Sequence, residues 1–126
     1  MMRRIHLIER SSTDPQTLDE VRRRVAGKRC LVALDSNHTH EHVLAELRLY
    51  SEFVDAGSYL VVFDTSIDAA PAGFFPDRPW GPGNNPLTAI REFLRENRRF
   101  EVDRTIHDKL LITTAREGYL RCIANA

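Results

Sequence analysis

A length of 126 residues suits one domain, and 42% hydrophobic, 8% aromatic and 29% charged residues exclude a collagenous, low-complexity or largely disordered chain. Lys+Arg and Asp+Glu each number 18, and residues 1–63 and 64–126 hold nine of each sign apiece. The basic excess that a nucleic-acid partner or an acidic membrane selects is therefore absent.

In chain order, Ile5–Glu9 (IHLIE) reads as a short strand broken by Ser11, Ser12 and Thr13. Asp14-Pro15 is a helix-start signal, an N-cap acceptor followed by Pro at the first helical position, and the helix runs to about Ala26 before Gly27. Cys30–Leu34 (CLVAL) is a continuous apolar run, as in strands buried on both faces of a parallel sheet. Thr39 caps the next helix, whose apolar positions Val43, Leu44, Leu47, Tyr50, Phe53 and Val54 recur at helical spacing. Tyr59–Phe63 (YLVVF) is the following strand.

Residues 66–85 read as a long loop carrying Pro71, Gly73, Pro76, Pro79, Gly81, Pro82 and Gly83. Pro86 opens a helix with Leu87, Ile90, Phe93 and Leu94 on its apolar face. Phe100–Val102 and Lys109–Thr114 read as two closing strands, with Gly118–Ile123 a candidate terminal one. This β-α-β-α-β-loop-α-β-β order predicts an α/β fold with a mostly parallel sheet and an antiparallel finish.

The two cysteines, Cys30 and Cys122, form no CxxC, which argues against a disulfide scaffold or a structural zinc site. The basic start, Met1 to His6, lacks the apolar core of a signal peptide, and no apolar run reaches 18 residues. A cytoplasmic chain without a membrane span is expected.

Ligands of open α/β sheets bind at the carboxyl ends of the strands. Asp35 closes one predicted strand, His38 follows it by three residues, and Asp64 closes the next. Two carboxylates on neighbouring parallel strand ends suit Mg²⁺ or Mn²⁺, and a histidine beside them suits a general base. The plainer reading stands beside this one: an Asp at a strand end also serves as an N-cap, and His40 and His42 read equally as exposed residues entering a helix. The HTHEH run at 38–42 departs from the HxHxDH zinc pattern, because its last His comes one residue early and the Asp is missing. Neither GxGxxG nor a P-loop is present. Trp80 either stacks on a substrate or anchors the long loop.

The segments LIE-x-SSTDP, VAGKR-x-LVALDSNHTHEHVLAELRLYSEFVDAGSYLVVFDT, GPG-x-NPLTAIREFL and FEVDR resemble the cephalosporin hydroxylase family, related to rhamnosyl and macrolide-sugar O-methyltransferases, over residues 5–121. The resemblance implies the Rossmann-like, class I S-adenosylmethionine-dependent methyltransferase fold. This chain, as one domain over 1–126, would correspond to its C-terminal part and lack the first two strands. It implies S-adenosylmethionine and Mg²⁺ as cofactors and a small-molecule hydroxyl on a sugar, lipid or secondary metabolite as substrate. It places Asp35 and Asp64 as metal ligands, His38 as general base, and Glu9, Ser12 and Asp14 beside the cofactor. Two positions depart from the pattern: Phe63 stands where the family has a metal-binding Glu, and Arg10 where it often has Gly. These departures, with no Gly-containing cofactor loop, leave a catalytically inactive remnant or a sheet-completing assembly subunit as the alternative. A metal-dependent hydroxylase would need Asp35, His38 and His42 to form a facial triad. With the first two strands gone, Ile5–Glu9 is expected to move beside Cys30–Leu34, or two chains to pair there as a homo-oligomer through the open sheet edge.

Overall fold

Side-chain caps decide where the helices begin, and three of the four caps precede a proline or a threonine within the first two helical positions. The computed structural model describes residues 4–126; Met1, Met2 and Arg3 of the basic start lie outside the described residues. Helix α1 (Pro15–Val25) starts at Asp14, whose carboxylate accepts from the Gln16 N–H at 2.7 Å, and ends with Arg22, Arg23 and Arg24 against its negative pole. Helix α2 (His40–Tyr50) starts at Thr39, and a 3₁₀ turn over Ser51–Phe53 prolongs it. Helix α3 (Pro86–Glu96) starts at Asn85 with a reciprocal capping box involving Thr88. Helix α4 (Arg104–Leu110) starts at Asp103, which accepts from the Thr105 N–H at 3.0 Å.

Among the described residues four strands form one sheet: β1 (Val32–Leu34), β2 (Tyr59–Val62), β3 (Phe100–Val102) and β4 (Tyr119–Cys122), in the order β1-β2-β4-β3. Only β1 and β2 are parallel, with Leu34 level with Val62; β2–β4 and β3–β4 are antiparallel. The sheet is therefore mixed rather than mostly parallel, because β4 returns between β2 and β3 instead of finishing at an edge. Gly118 makes that return possible. Its carbonyl accepts from the Val62 N–H at 2.8 Å, and a Cβ there would collide with the Val62 carbonyl.

Two expected strands are not strands. Ile5–Glu9 joins no ladder and leaves Ile5 and Leu7 76% and 89% exposed, so the edge of β1 is unpaired among the described residues. Lys109–Thr114 joins no strand; the Asp103 cap instead winds residues 104–110 into α4. Leu111 and Ile112 beyond it are 83% and 92% exposed. The long loop opens with a 3₁₀ helix over Thr65–Ala69 and continues as turns, with an isolated bridge between Gly81 and Asn84.

Leu34, Leu60, Val62 and Leu120 from the sheet pack with Val43, Leu44 and Leu47 of α2 and Ile90 and Phe93 of α3. Full burial of a side chain such as Phe93 contributes about 2–3 kcal/mol. Polar ties join the two helices. Arg48 grips Glu96 through two N–H donors at 2.9 and 2.6 Å, and His40 reaches Thr88 Oγ1 at 2.8 Å and Glu92 Oε2 at 3.1 Å. No helix among the described residues is long and apolar enough to cross a membrane.

Candidate metal centre

The parallel register of β1 and β2 delivers both chains to the same level, so Asp35 and Asp64 emerge side by side from the carboxyl ends of the strands. His38, on the turn between β1 and α2, completes the group. One ligand atom from each of the three lies within 4.8 Å of the others. His38 Nε2 stands 3.1 Å from Asp64 Oδ2 and 3.6 Å from Asp35 Oδ1. These are the three residues that the sequence reading assigns to metal and proton chemistry.

Neither aspartate is spent on a helix cap. Thr39 caps α2 in place of Asp35, and Asp64 makes no side-chain cap bond to the 3₁₀ helix it precedes. Asp64 sits at φ 56°, ψ 27°, the left-handed region, which Asp tolerates better than most residues. That backbone turn points its carboxylate toward His38. The two carboxylates offer the hard oxygens that suit Mg²⁺ or Mn²⁺, and the imidazole beside them suits a base. The site is open on one side: the Asp35 side chain is 60% exposed, whereas those of Asp64 and His38 are 32% and 21% exposed.

A cleft of about 490 Å³ adjoins the cluster, lined by His38 and Asp64 at one end and by Phe74, Phe75, Arg78 and Trp80 at the other. The loop residues that build this wall are held from below. Asp68 accepts from the Gly83 N–H at 3.0 Å and from Asn85 Nδ2 at 2.7 Å, and pairs with Arg91 at 3.1 Å. The Gly83 amide first, then the Asn85 amide, hold the Asp68 carboxyl below its ordinary range. Asn85, wholly buried, both caps α3 and donates to the Gly81 carbonyl at 2.9 Å. Asn85-Pro86 repeats the Asp14-Pro15 signature, so the cap was legible in the sequence; its second task of holding the loop was not.

A second cleft, of about 450 Å³, opens on the other side of the β1 end. Arg10, Ser11, Ser12, Ser36, Asn37, His42 and Tyr50 line it. Of the residues expected beside a cofactor, Ser12 lies there, with its Oγ 3.2 Å from His42 Nε2. Asp14 is occupied by its cap on α1, and Glu9 is exposed and outside the cleft lining. His42 faces Ser12, Ser36 and the buried Glu46 rather than Asp35 and His38, so the three residues proposed as a facial triad do not converge. The HTHEH run is likewise split three ways: His38 to the carboxylates, His40 to α3 and His42 to this second cleft.

The sequence profile of rhamnosyl O-methyltransferase/CmcI matches residues 1–123. The chain belongs to the rhamnosyl O-methyltransferase/CmcI family. It is 36% identical over 119 residues to rhamnosyl O-methyltransferases of Mycobacterium tuberculosis and Mycobacterium bovis, covering 90% of this chain and 45% of those proteins. The Mycobacterium leprae rhamnosyl O-methyltransferase is 35% identical over 120 residues, covering 92% of this chain and 49% of that protein. The chain thus spans about half the length of the curated relatives it matches. No solved structure matches it. Membership agrees with the resemblance carried by the LDSNHTHEHV segment, and that segment supplies Asp35 and His38 of the cluster.

Proposed function

We propose that this chain carries the metal- and base-bearing part of an S-adenosylmethionine-dependent O-methyltransferase site that acts on a hydroxyl of a small molecule, of the sugar kind for which its relatives are named. The convergence of Asp35, His38 and Asp64 at the carboxyl ends of the parallel pair supports the reading most strongly. Asp35 and Asp64 would hold the cation, and their two hard oxygens without competing cap bonds fit it. When bound, the cation acidifies the acceptor hydroxyl and S-adenosylmethionine supplies the methyl group. His38 takes the hydroxyl proton at Nε2, the nitrogen facing both carboxylates. Asp64 Oδ2, 3.1 Å from Nε2, is then placed to accept the new N–H. The aromatic cleft beside His38 receives the body of the acceptor. The Ser12–Ser36–Asn37 cleft offers hydroxyl and amide groups to the adenosine portion of the cofactor.

Phe63 favours a second reading. It removes one carboxylate from the place where the resemblance implies a Glu-Asp pair, and an inactive remnant follows if two carboxylates hold the cation too weakly.

Calorimetric titration of the chain with S-adenosylhomocysteine, with and without Mg²⁺, tests the first reading. Saturable binding strengthened by Mg²⁺, with the Mg²⁺ effect lost in Asp64→Asn, is the expected outcome. Asn accepts the left-handed backbone as readily as Asp, so the substitution removes charge without moving the chain. No binding by a demonstrably folded chain favours the remnant.

A further inference from the structure

The imidazole of His38 has two neighbours of different kinds. Its Nε2 edge meets Asp64, and its ring meets Trp80, with centroids 4.9 Å apart and planes inclined by 63°. An edge-to-face pair of this type contributes about 0.5–1.5 kcal/mol and fixes ring orientation as well. The ring of a general base must be held to a narrow range of angles, since the lone pair or the N–H leaves in one direction only.

Trp80 itself is restrained from three sides. Asn84 Nδ2 donates to the Pro79 carbonyl at 3.0 Å, just before Trp80. Asn85 Nδ2 donates to the Gly81 carbonyl at 2.9 Å, just after it. The Arg78 guanidinium lies 5.3 Å from the indole centroid. Asn84 also accepts from the His40 N–H at 2.8 Å, so the same residue ties this stretch of loop to the start of α2, two residues beyond His38. The Gly81–Asn84 bridge closes the turn with two backbone bonds of 3.0 Å. A tryptophan merely covering a surface would need none of these attachments. Its neighbours Phe74 and Phe75 pack on each other, 4.9 Å between centroids, and make no ring contact with His38.

We propose that Trp80 is a positioning residue: its indole, fixed between the Asn-held carbonyls of Pro79 and Gly81, seats the His38 imidazole with Nε2 against Asp64 and Asp35. The proposal deepens the functional reading above and rests on it for its importance, but its geometry holds without any bound group. The sequence already offered both halves of the alternative, substrate stacking or loop anchoring. The structure joins them, because the anchored residue is the one that touches the base.

The test uses the whole chain free of metal, with Trp80→Phe, Trp80→Leu and Trp80→Ala beside the wild type. Two readouts are taken: the nuclear Overhauser contact between the His38 ring and the Asp64 Hβ protons, and the rate at which diethyl pyrocarbonate modifies each histidine, resolved by mass spectrometry. Loss of about 1 kcal/mol of ring pairing should accelerate His38 modification about fivefold in Trp80→Ala and Trp80→Leu. The Overhauser contact should vanish in both. His40 and His42 should keep their wild-type rates, and Trp80→Phe, which retains an aromatic edge, should stay within about twofold. An unchanged His38 rate and contact in Trp80→Ala and Trp80→Leu overturn the proposal. So does acceleration at all three histidines, which reports loosening of the fold. So does Trp80→Phe behaving as Trp80→Ala, which reports lost cover rather than lost pairing. Failure of the functional reading is seen separately: Asp64→Asn would then bind Mn²⁺ as the wild type does, whatever the Trp80 variants show.

Discussion

Asn85→Ala attacks the joint that holds the loop to the core, and its cost can be worked from the contacts. The side chain is fully buried, so water cannot replace what it gives up. Its Oδ1 accepts from the Leu87 N–H at 2.9 Å and the Thr88 N–H at 3.3 Å, and loss of such a cap costs about 1 kcal/mol. Its Nδ2 donates to Asp68 at 2.7 Å; losing a bond to a charged acceptor costs about 1.5–3 kcal/mol, taken at the lower end because Gly83 and Arg91 still serve Asp68. The Gly81 carbonyl loses one of its two donors and keeps the Asn84 N–H, at about 0.5–1 kcal/mol. The sum is about 3–3.5 kcal/mol, a large fraction of the 5–15 kcal/mol that holds a domain folded. At roughly 4 °C per kcal/mol for a chain of this size, the melting temperature should fall by about 12–14 °C. Urea denaturation followed by circular dichroism measures the free energy, and calorimetry the midpoint. Asn85→Asp sharpens the comparison: it keeps the cap but places a second carboxylate against Asp68, so it should also be destabilised while α3 starts unaltered. A loss under about 1 kcal/mol in Asn85→Ala would refute the reasoning, since the cap alone would then account for it.

Phe63→Glu should raise Mg²⁺ affinity, by at least about tenfold if the rebuilt carboxylate reaches the cation, since even outer partners of a metal change affinity by 10–100-fold; calorimetry reads it, and no gain would mean that the side chain at 63 points away from the centre. Phe93→Ala should cost about 3–5 kcal/mol in urea denaturation, because the ring is 1% exposed between α3 and the sheet. Asp68 is held below the usual carboxylate range, so its contribution to stability is complete above that range and disappears as pH falls through the depressed value. Acid titration of the melting temperature should therefore fall less steeply in Asp68→Asn than in the wild type. His40→Ala should weaken the α2–α3 contact by about 1 kcal/mol with no effect on Mn²⁺ binding, separating it from His38 of the same HTHEH run.

Local chemistry explains what was legible from the sequence alone. Asp14-Pro15 and Thr39 are caps whose side chains bond amides two or three residues away, so their signals need no tertiary partner. The apolar runs at 30–34 and 59–63 mark β1 and β2, although only β2 is buried almost throughout and the run of β1, at the sheet edge, leaves Leu31 63% exposed; their ends placed Asp35 and Asp64 together once the pair was taken as parallel. Tertiary structure decided the rest. Lys109–Thr114 has strand composition, but β4 takes the place between β2 and β3, and the first residues of the run follow the Asp103 cap into α4. Ile5–Glu9 has a similar composition and stays outside the sheet, although the edge of β1 is unpaired among the described residues. The three histidines at 38, 40 and 42 look alike in the sequence. Only the packing of α2 on α3 and on the Ser12 turn sends one to Glu92 and another to Ser12, leaving His38 to the carboxylates and Trp80. A cap or an apolar run is settled within a few residues of itself. A strand's neighbours and a side chain's opposite number are settled by elements distant along the chain, and those lay beyond the reach of local pattern.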